Sequence, residues 1–141
     1  MAAMIRAVFD CNVVLSGIGW NGSARKCLKL VARRRVFLFV TRDILAEYEA
    51  VIPGTLAEEM PGLDVLPKLA WIRSQSRFVE PAPLGRQRSR DLKDDIYLAG
   101  ALAASAQYII TYDADLLALG KPFGVEAIRP VEFLRRLKGD Q

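Results

Sequence analysis

The chain has 141 residues, 52% hydrophobic and 26% charged, the balance of a soluble globular domain large enough to bury a real core. Lys and Arg number 20 against 16 Asp and Glu, a net charge of +4, and histidine is missing altogether. That gap excludes Ser-His-Asp and Cys-His catalysis, His-ligated zinc and a histidine general base, which leaves carboxylates, hydroxyls, Lys/Arg or a bound metal to carry any chemistry.

Ile5-Arg6-Ala7-Val8-Phe9 is a short apolar run that reads as a buried strand ending at Asp10. Arg6 and Asp10 break the N-terminal apolar stretch, so no secretory leader is expected, and Met4 reads as a possible true start. Asn21-Gly22-Ser23 is turn chemistry with Ser23 as a candidate helix N-cap. Ala24, Cys27, Leu28 and Val31 then recur at helical spacing, opposite Arg25, Lys26, Lys29 and Arg33. Val36 to Val40 is a second strand. Thr41 caps a helix expected over 42–52, which Pro53-Gly54 should end. Pro61-Gly62 marks a turn, and a helix is expected over 63–76, with Pro67 early in it.

Phe78-Val79 is a weak strand signal ahead of Pro81 and Pro83. Gly85 to Lys93 is a polar loop with Arg86, Arg88 and Arg90 on alternate positions. Asp94-Asp95 opens an apolar helix rich in small residues, and Tyr108 to Thr111 is a strong strand. A helical turn over 113–119, a short strand over 125–128 and a helix opened by Pro130 complete the pattern. Strands alternating with helices imply a parallel sheet covered on both faces. No linker or repeat divides the chain, so 1–141 reads as one domain. No stretch approaches the roughly 20 apolar residues of a membrane span. Cys11 and Cys27 are too few for a disulfide framework and read as reduced core thiols of a cytoplasmic protein.

The acids are the informative residues. In open parallel sheets ligands bind at the carboxyl ends of strands, and Asp10 and Asp113 fall at two such ends. Asp94 and Asp95 sit where a loop enters a helix, and Glu47 lies on the second helix after Thr41. Brought together, so many carboxylates need a cation, and an all-oxygen set suits Mg²⁺ or Mn²⁺. Each acid also has a plainer reading. Asp94 and Asp95 can simply favour a helix N-terminus, and Glu47 can be a solvated helix charge. Asp10, inside the run Val8 to Leu15, is costly to bury unless it is paired or binds metal. Asn12 can orient it by a hydrogen bond or end the strand with an Asx turn.

Four segments carry a family resemblance. Val8-Phe9-Asp10-Cys11-Asn12-Val13-Val14 resembles the opening motif of the PIN domain family. Thr41 to Val51, with Glu47 inside it, is similar to the second acidic segment. Arg90-Asp91-Leu92-Lys93-Asp94-Asp95-Ile96-Tyr97-Leu98-Ala99 resembles the third, and Ile109-Ile110-Thr111-Tyr112-Asp113-Ala114-Asp115-Leu116-Leu117 the fourth. They stand in order and span most of the chain. Cys11 and Tyr112 are mild departures, and neither removes an acid.

The resemblance implies a three-layer α/β/α sandwich with a five-stranded parallel sheet in order 3-2-1-4-5. It implies a Mg²⁺- or Mn²⁺-dependent endoribonuclease with Asp10, Glu47, Asp113 and one or both of Asp94 and Asp95 as its acids, Asp94 slightly preferred. Asn12 and Thr111 match supporting positions; Asp115 is either a ligand at one remove or a helix N-terminal acid. The most similar branch is the prokaryotic VapC-like toxins of toxin–antitoxin pairs, which implies an RNA substrate, a cognate antitoxin protein and a homodimer. The loop with Arg86, Arg88, Arg90 and Lys93 runs into the acidic pair and is the expected RNA-binding element, although such charges are also ordinary solvated faces. Two other readings compete: a PIN-like module that binds RNA or protein without catalysis, and a phosphohydrolase of the HAD class. The latter wants a second Asp two residues after the first, where this chain has Asn12.

Overall fold

The structure, a computed structural model, describes residues 4–139. Met1-Ala2-Ala3, and with them the question of where the chain begins, lie outside the described residues. Five strands form the sheet: β1 (Ile5–Phe9), β2 (Val36–Val40), β3 (Arg77–Phe78), β4 (Tyr108–Ile110) and β5 (Glu126–Ile128). All pair in parallel, in the order β3-β2-β1-β4-β5. β1 is central, with Ala7 opposite Leu38 on one side and Tyr108 on the other.

Successive strand residues point to opposite faces. Ala7, Val8 and Phe9 are nevertheless all fully buried, so both faces of β1 are covered, as parallel sheets require. The cover comes from α1 (Cys11–Gly19), α2 (Ser23–Ala32), α3 (Arg42–Glu59), α4 (Val65–Gln75), α5 (Asp95–Ala103), α6 (Ala114–Leu117) and α7 (Pro130–Gly139). α5 lies against β1, β2 and β4 and against α3, while α2 packs on β2 and α7. Gly100 permits the α5–α3 approach, because a Cβ there would stand 2.8 Å from Ile44 Cδ1. Among the described residues no helix is long and apolar enough to cross a membrane.

Two local expectations are corrected, at Pro53 and at Ser23. Asp10 directly follows β1, as the sequence places it. Its backbone N–H completes the ladder to Ile110 O at 2.9 Å, and it then serves as the N-cap residue of α1. α1 is buried nearly all round, so its sequence has no helical stripe to show. Pro53 does not end α3, which runs on to Glu59. A proline inside a helix removes one backbone bond. The buried positions Leu45, Tyr48, Ile52 and Leu56 continue at helical spacing across it, and their burial outweighs that loss. The segment 53–72 is therefore the second half of α3 followed by most of α4. Ser23 is the first residue of α2, with Gly22 before it as cap. Thr41 behaves as expected, its hydroxyl accepting from Ile44 N at 3.2 Å.

Candidate functional site

In a sheet of order 3-2-1-4-5 the strand order reverses between β1 and β4, and the crevice at their carboxyl ends is where such folds bind ligands. The polar residues that follow these two strands meet there. Asp10 is buried, and its Oδ2 accepts from Thr111 Oγ1 at 2.7 Å. The same Thr111 hydroxyl accepts from Asp113 N at 2.9 Å. One fully buried hydroxyl thus ties the end of β1 to the turn after β4. Asp113 caps α6, its Oδ1 accepting from Asp115 N at 2.7 Å, which turns Asp115 back toward it.

Asp94 arrives from a different element. A 3-10 turn over Leu92–Asp94, capped by Asp91, delivers it just before α5 begins. One carboxylate oxygen each from Asp94, Asp113 and Asp115 lies within 4.8 Å of the other two. Asp94 Oδ2 is buried without a hydrogen-bond partner. Burial, helped by the neighbouring charge of Asp113 and then of Asp10 and Asp91, pushes the Asp94 carboxyl up to about 7. At that point it can share a proton with Asp113, the only way two carboxylates can hydrogen-bond. Burial also raises the Asp10 carboxyl. The Thr111 hydrogen bond works against that rise, and the Asp113 and Glu47 charges work with it.

Asp95 has another task. Its Oδ1 accepts from Ser89 N at 2.6 Å and its Oδ2 from Arg88 N at 2.8 Å. Both oxygens are engaged by the preceding loop, so the structure brings Asp94, not Asp95, to the acid group. The two readings left open by the sequence therefore divide between the two residues.

Glu47 stands on α3, half-buried, with Oε2 accepting from the Tyr97 hydroxyl. That hydroxyl in turn accepts from Cys11 N at 3.2 Å, at the start of α1. Tyr48, next to Glu47, donates its hydroxyl to Phe9 O at the end of β1. Burial drives both tyrosine hydroxyls far above their ordinary range and the Cys11 thiol up to about 12, so all three stay protonated at neutral pH. Sequence reasoning missed Tyr97 and Tyr48. An available signal was the i, i+3 spacing from Asp94 to Tyr97, which places them on one side of α5.

Asn12 does not hold Asp10. It is exposed on the first turn of α1, and no hydrogen bond among the described residues joins the two. Arg86, Arg90 and Lys93 are exposed on the loop that leads to Asp94. Arg88 is not a free cation there, since its Nε and Nη2 both donate to Leu84 O, at 3.1 and 2.9 Å. On the basic side of α2 Arg25 is likewise structural, donating to the carbonyls of Gly17 and Ile18 near the end of α1. Trp71 is half-buried against the core.

The sequence profile described as PIN domain matches residues 6–115, a span that holds every acid named above. The chain belongs to the PIN domain family. This sets aside the HAD-class reading. PIN domains are generally nucleases and usually work with divalent metal ions. The donor set suits such an ion: three carboxylates of one charge, crowded together, one with a buried oxygen that no N–H or O–H reaches. Among solved structures, PAE2754 from Pyrobaculum aerophilum is similar in fold, with a TM-score of 0.66 over 96% of this chain and 90% of that one. The two are 18% identical in sequence. No curated protein matches the chain in sequence.

Proposed function

We propose that this PIN domain is a Mg²⁺- or Mn²⁺-dependent endoribonuclease that hydrolyses RNA phosphodiester bonds at the crevice between β1 and β4. The observation that carries the proposal is the partnerless buried oxygen of Asp94 beside Asp113 and Asp115. Asp94, Asp113 and Asp115 would hold the ion, with Asp10 beside them. When bound, the ion supplies a bound water of lowered pKa as nucleophile and neutralises charge on the phosphate.

The chain's own residues do the rest. Thr111 aims Asp10 and positions the Asp113 backbone. Tyr97 aims Glu47. Asp95 fixes the loop so that Arg86, Arg90 and Lys93 can receive phosphates along the approach to Asp94. With no histidine in the chain to activate them, and locked in their protonated forms, Tyr48, Tyr97 and Cys11 do not compete as nucleophiles at neutral pH.

Purified protein should cut single-stranded RNA in Mg²⁺ or Mn²⁺, and Asp10→Asn should lose that cleavage while keeping its melting temperature. Unchanged cleavage by Asp10→Asn would overturn the proposal. The same reading makes the protein the cytoplasmic toxin of a toxin–antitoxin pair, acting as a homodimer and held by a cognate antitoxin protein. Its expression should then arrest growth, with relief on co-expression of that antitoxin. Growth unaffected by active enzyme would mark a housekeeping nuclease instead.

A further inference from the structure

Phe123 is an exposed aromatic in an expensive conformation. It sits at φ 55, ψ 25, in the left-handed region that a ring-bearing residue rarely adopts, between Pro122 and Gly124. It is 51% exposed and lies outside the hydrophobic core. Strain and exposure together bring no stability, and strain of this kind gathers at functional sites. The ring is not loose, however. The Arg88 guanidinium carbon stands 5.1 Å from its centroid, within cation–π range. That guanidinium is itself pinned by its two bonds to Leu84 O, and the Arg88 backbone is pinned by Asp95.

The two partners come from the two segments that carry the acids. Arg88 belongs to the loop that Asp95 anchors and that ends at Asp94. Phe123 follows α6, which Asp113 caps and whose second residue is Asp115. We propose that Phe123, backed by Arg88, is a stacking platform for an unpaired base of single-stranded RNA entering the carboxylate site. Every base has a π face, and aromatic rings and guanidinium planes are the surfaces on which unpaired bases stack. A paired base in a duplex presents no such face. The proposal rests on the ribonuclease reading for its substrate and adds the residue on which an incoming base stacks.

The test uses Asp10→Asn protein, which holds RNA uncut, and a single-stranded RNA carrying 2-aminopurine, whose fluorescence changes on stacking. Phe123→Asn removes the ring and suits the left-handed backbone; Phe123→Trp keeps an aromatic face. The expected result is that Phe123→Asn weakens binding about 10-fold to 100-fold and abolishes the fluorescence change. Phe123→Trp should keep both, and a duplex of the same sequence should bind all variants alike. Two results would overturn the platform: Phe123→Asn binding single strands with unchanged affinity and signal, or losing duplex affinity equally. Cleavage by the wild-type protein is measured separately. Its failure would sink the nuclease reading and leave the stacking signal to be judged on its own.

Discussion

Asp10 and Glu47 each accept a hydrogen bond from a hydroxyl, of Thr111 and of Tyr97, whereas Asp94 Oδ2, in the same crevice, is buried and accepts none. The first pair is backed by the sheet and by α5, elements with buried side chains on every side. Asp94 instead reaches the site from the end of a polar loop, and its nearest neighbours are the like charges of Asp113 and Asp115. One half of the site is therefore complete within the protein. The other half crowds like charges with no cation beside them, and buried groups in that condition destabilise a fold until something neutralises them.

The largest expected effect sharpens that contrast. Asp94→Asn should reduce Mn²⁺-dependent RNA cleavage by roughly 100-fold or more, since even residues one step removed from a metal are worth about 10- to 100-fold. In metal-free buffer above pH 7 the same substitution should raise the melting temperature, because the amide can donate to Asp113 at any pH, whereas the carboxyl does so only while protonated. Wild-type protein should gain about 2.7 kcal/mol from Mn²⁺ at 100 times its dissociation constant, and Asp94→Asn should gain far less. A melting temperature that falls on Asp94→Asn, with the Mn²⁺ gain intact, would erase the difference between the two halves.

Tyr97→Phe attacks the complete half. It removes the donor to Glu47 and the acceptor of Cys11 N, and should cost about 1–2 kcal/mol in chemical denaturation. The Mn²⁺ stabilisation should survive it, because Tyr97 does not touch Asp94, Asp113 or Asp115.

The last effect is a slope with pH. The Asp94 carboxyl is raised in the folded chain from 3.8 to about 7, so between these values the native state holds a proton that the unfolded chain has released. Its contribution is complete below about pH 4 and fades as pH rises through 7. Metal-free protein should therefore lose stability across that interval, and Asp94→Asn should lose less. Thermal melts at pH 5, 6, 7 and 8 in chelator would show it. Saturating Mn²⁺ should flatten or reverse the trend, since metal binding favours the ionised carboxylate.

Much of this was legible in the chain. β1, β2 and β4 are apolar runs bounded by turn residues or acids, which announced a parallel sheet, and the four acidic segments stand in order, which is why the family, and through that resemblance the sheet order, could be anticipated. Other features depend on tertiary packing that no local window contains. Pro53 is a helix breaker by its own chemistry, yet Ile52 and Leu56 are buried on either side of it, and that packing keeps α3 continuous. Asp94 and Asp95 are the same residue type side by side. Adjacent residues at a helix start point about 100° apart, and only the amides of Arg88 and Ser89 show which one is turned aside. Tyr97 reads as one more core aromatic, because its only polar atom acts on residues 50 and 86 positions away.

Asp95 also sets how the loop before it is built. Its two bonds to Arg88 and Ser89 close a ring of about eight residues, a size at which closure carries little entropic penalty. The loop can thus wind itself up as α5 starts, using contacts near in sequence, before the distant strands have paired. Asp94 is then presented by a small prefabricated knot. Insertions on the far side of Arg88 would leave that knot intact, and an insertion inside it would swing Asp94 out of register.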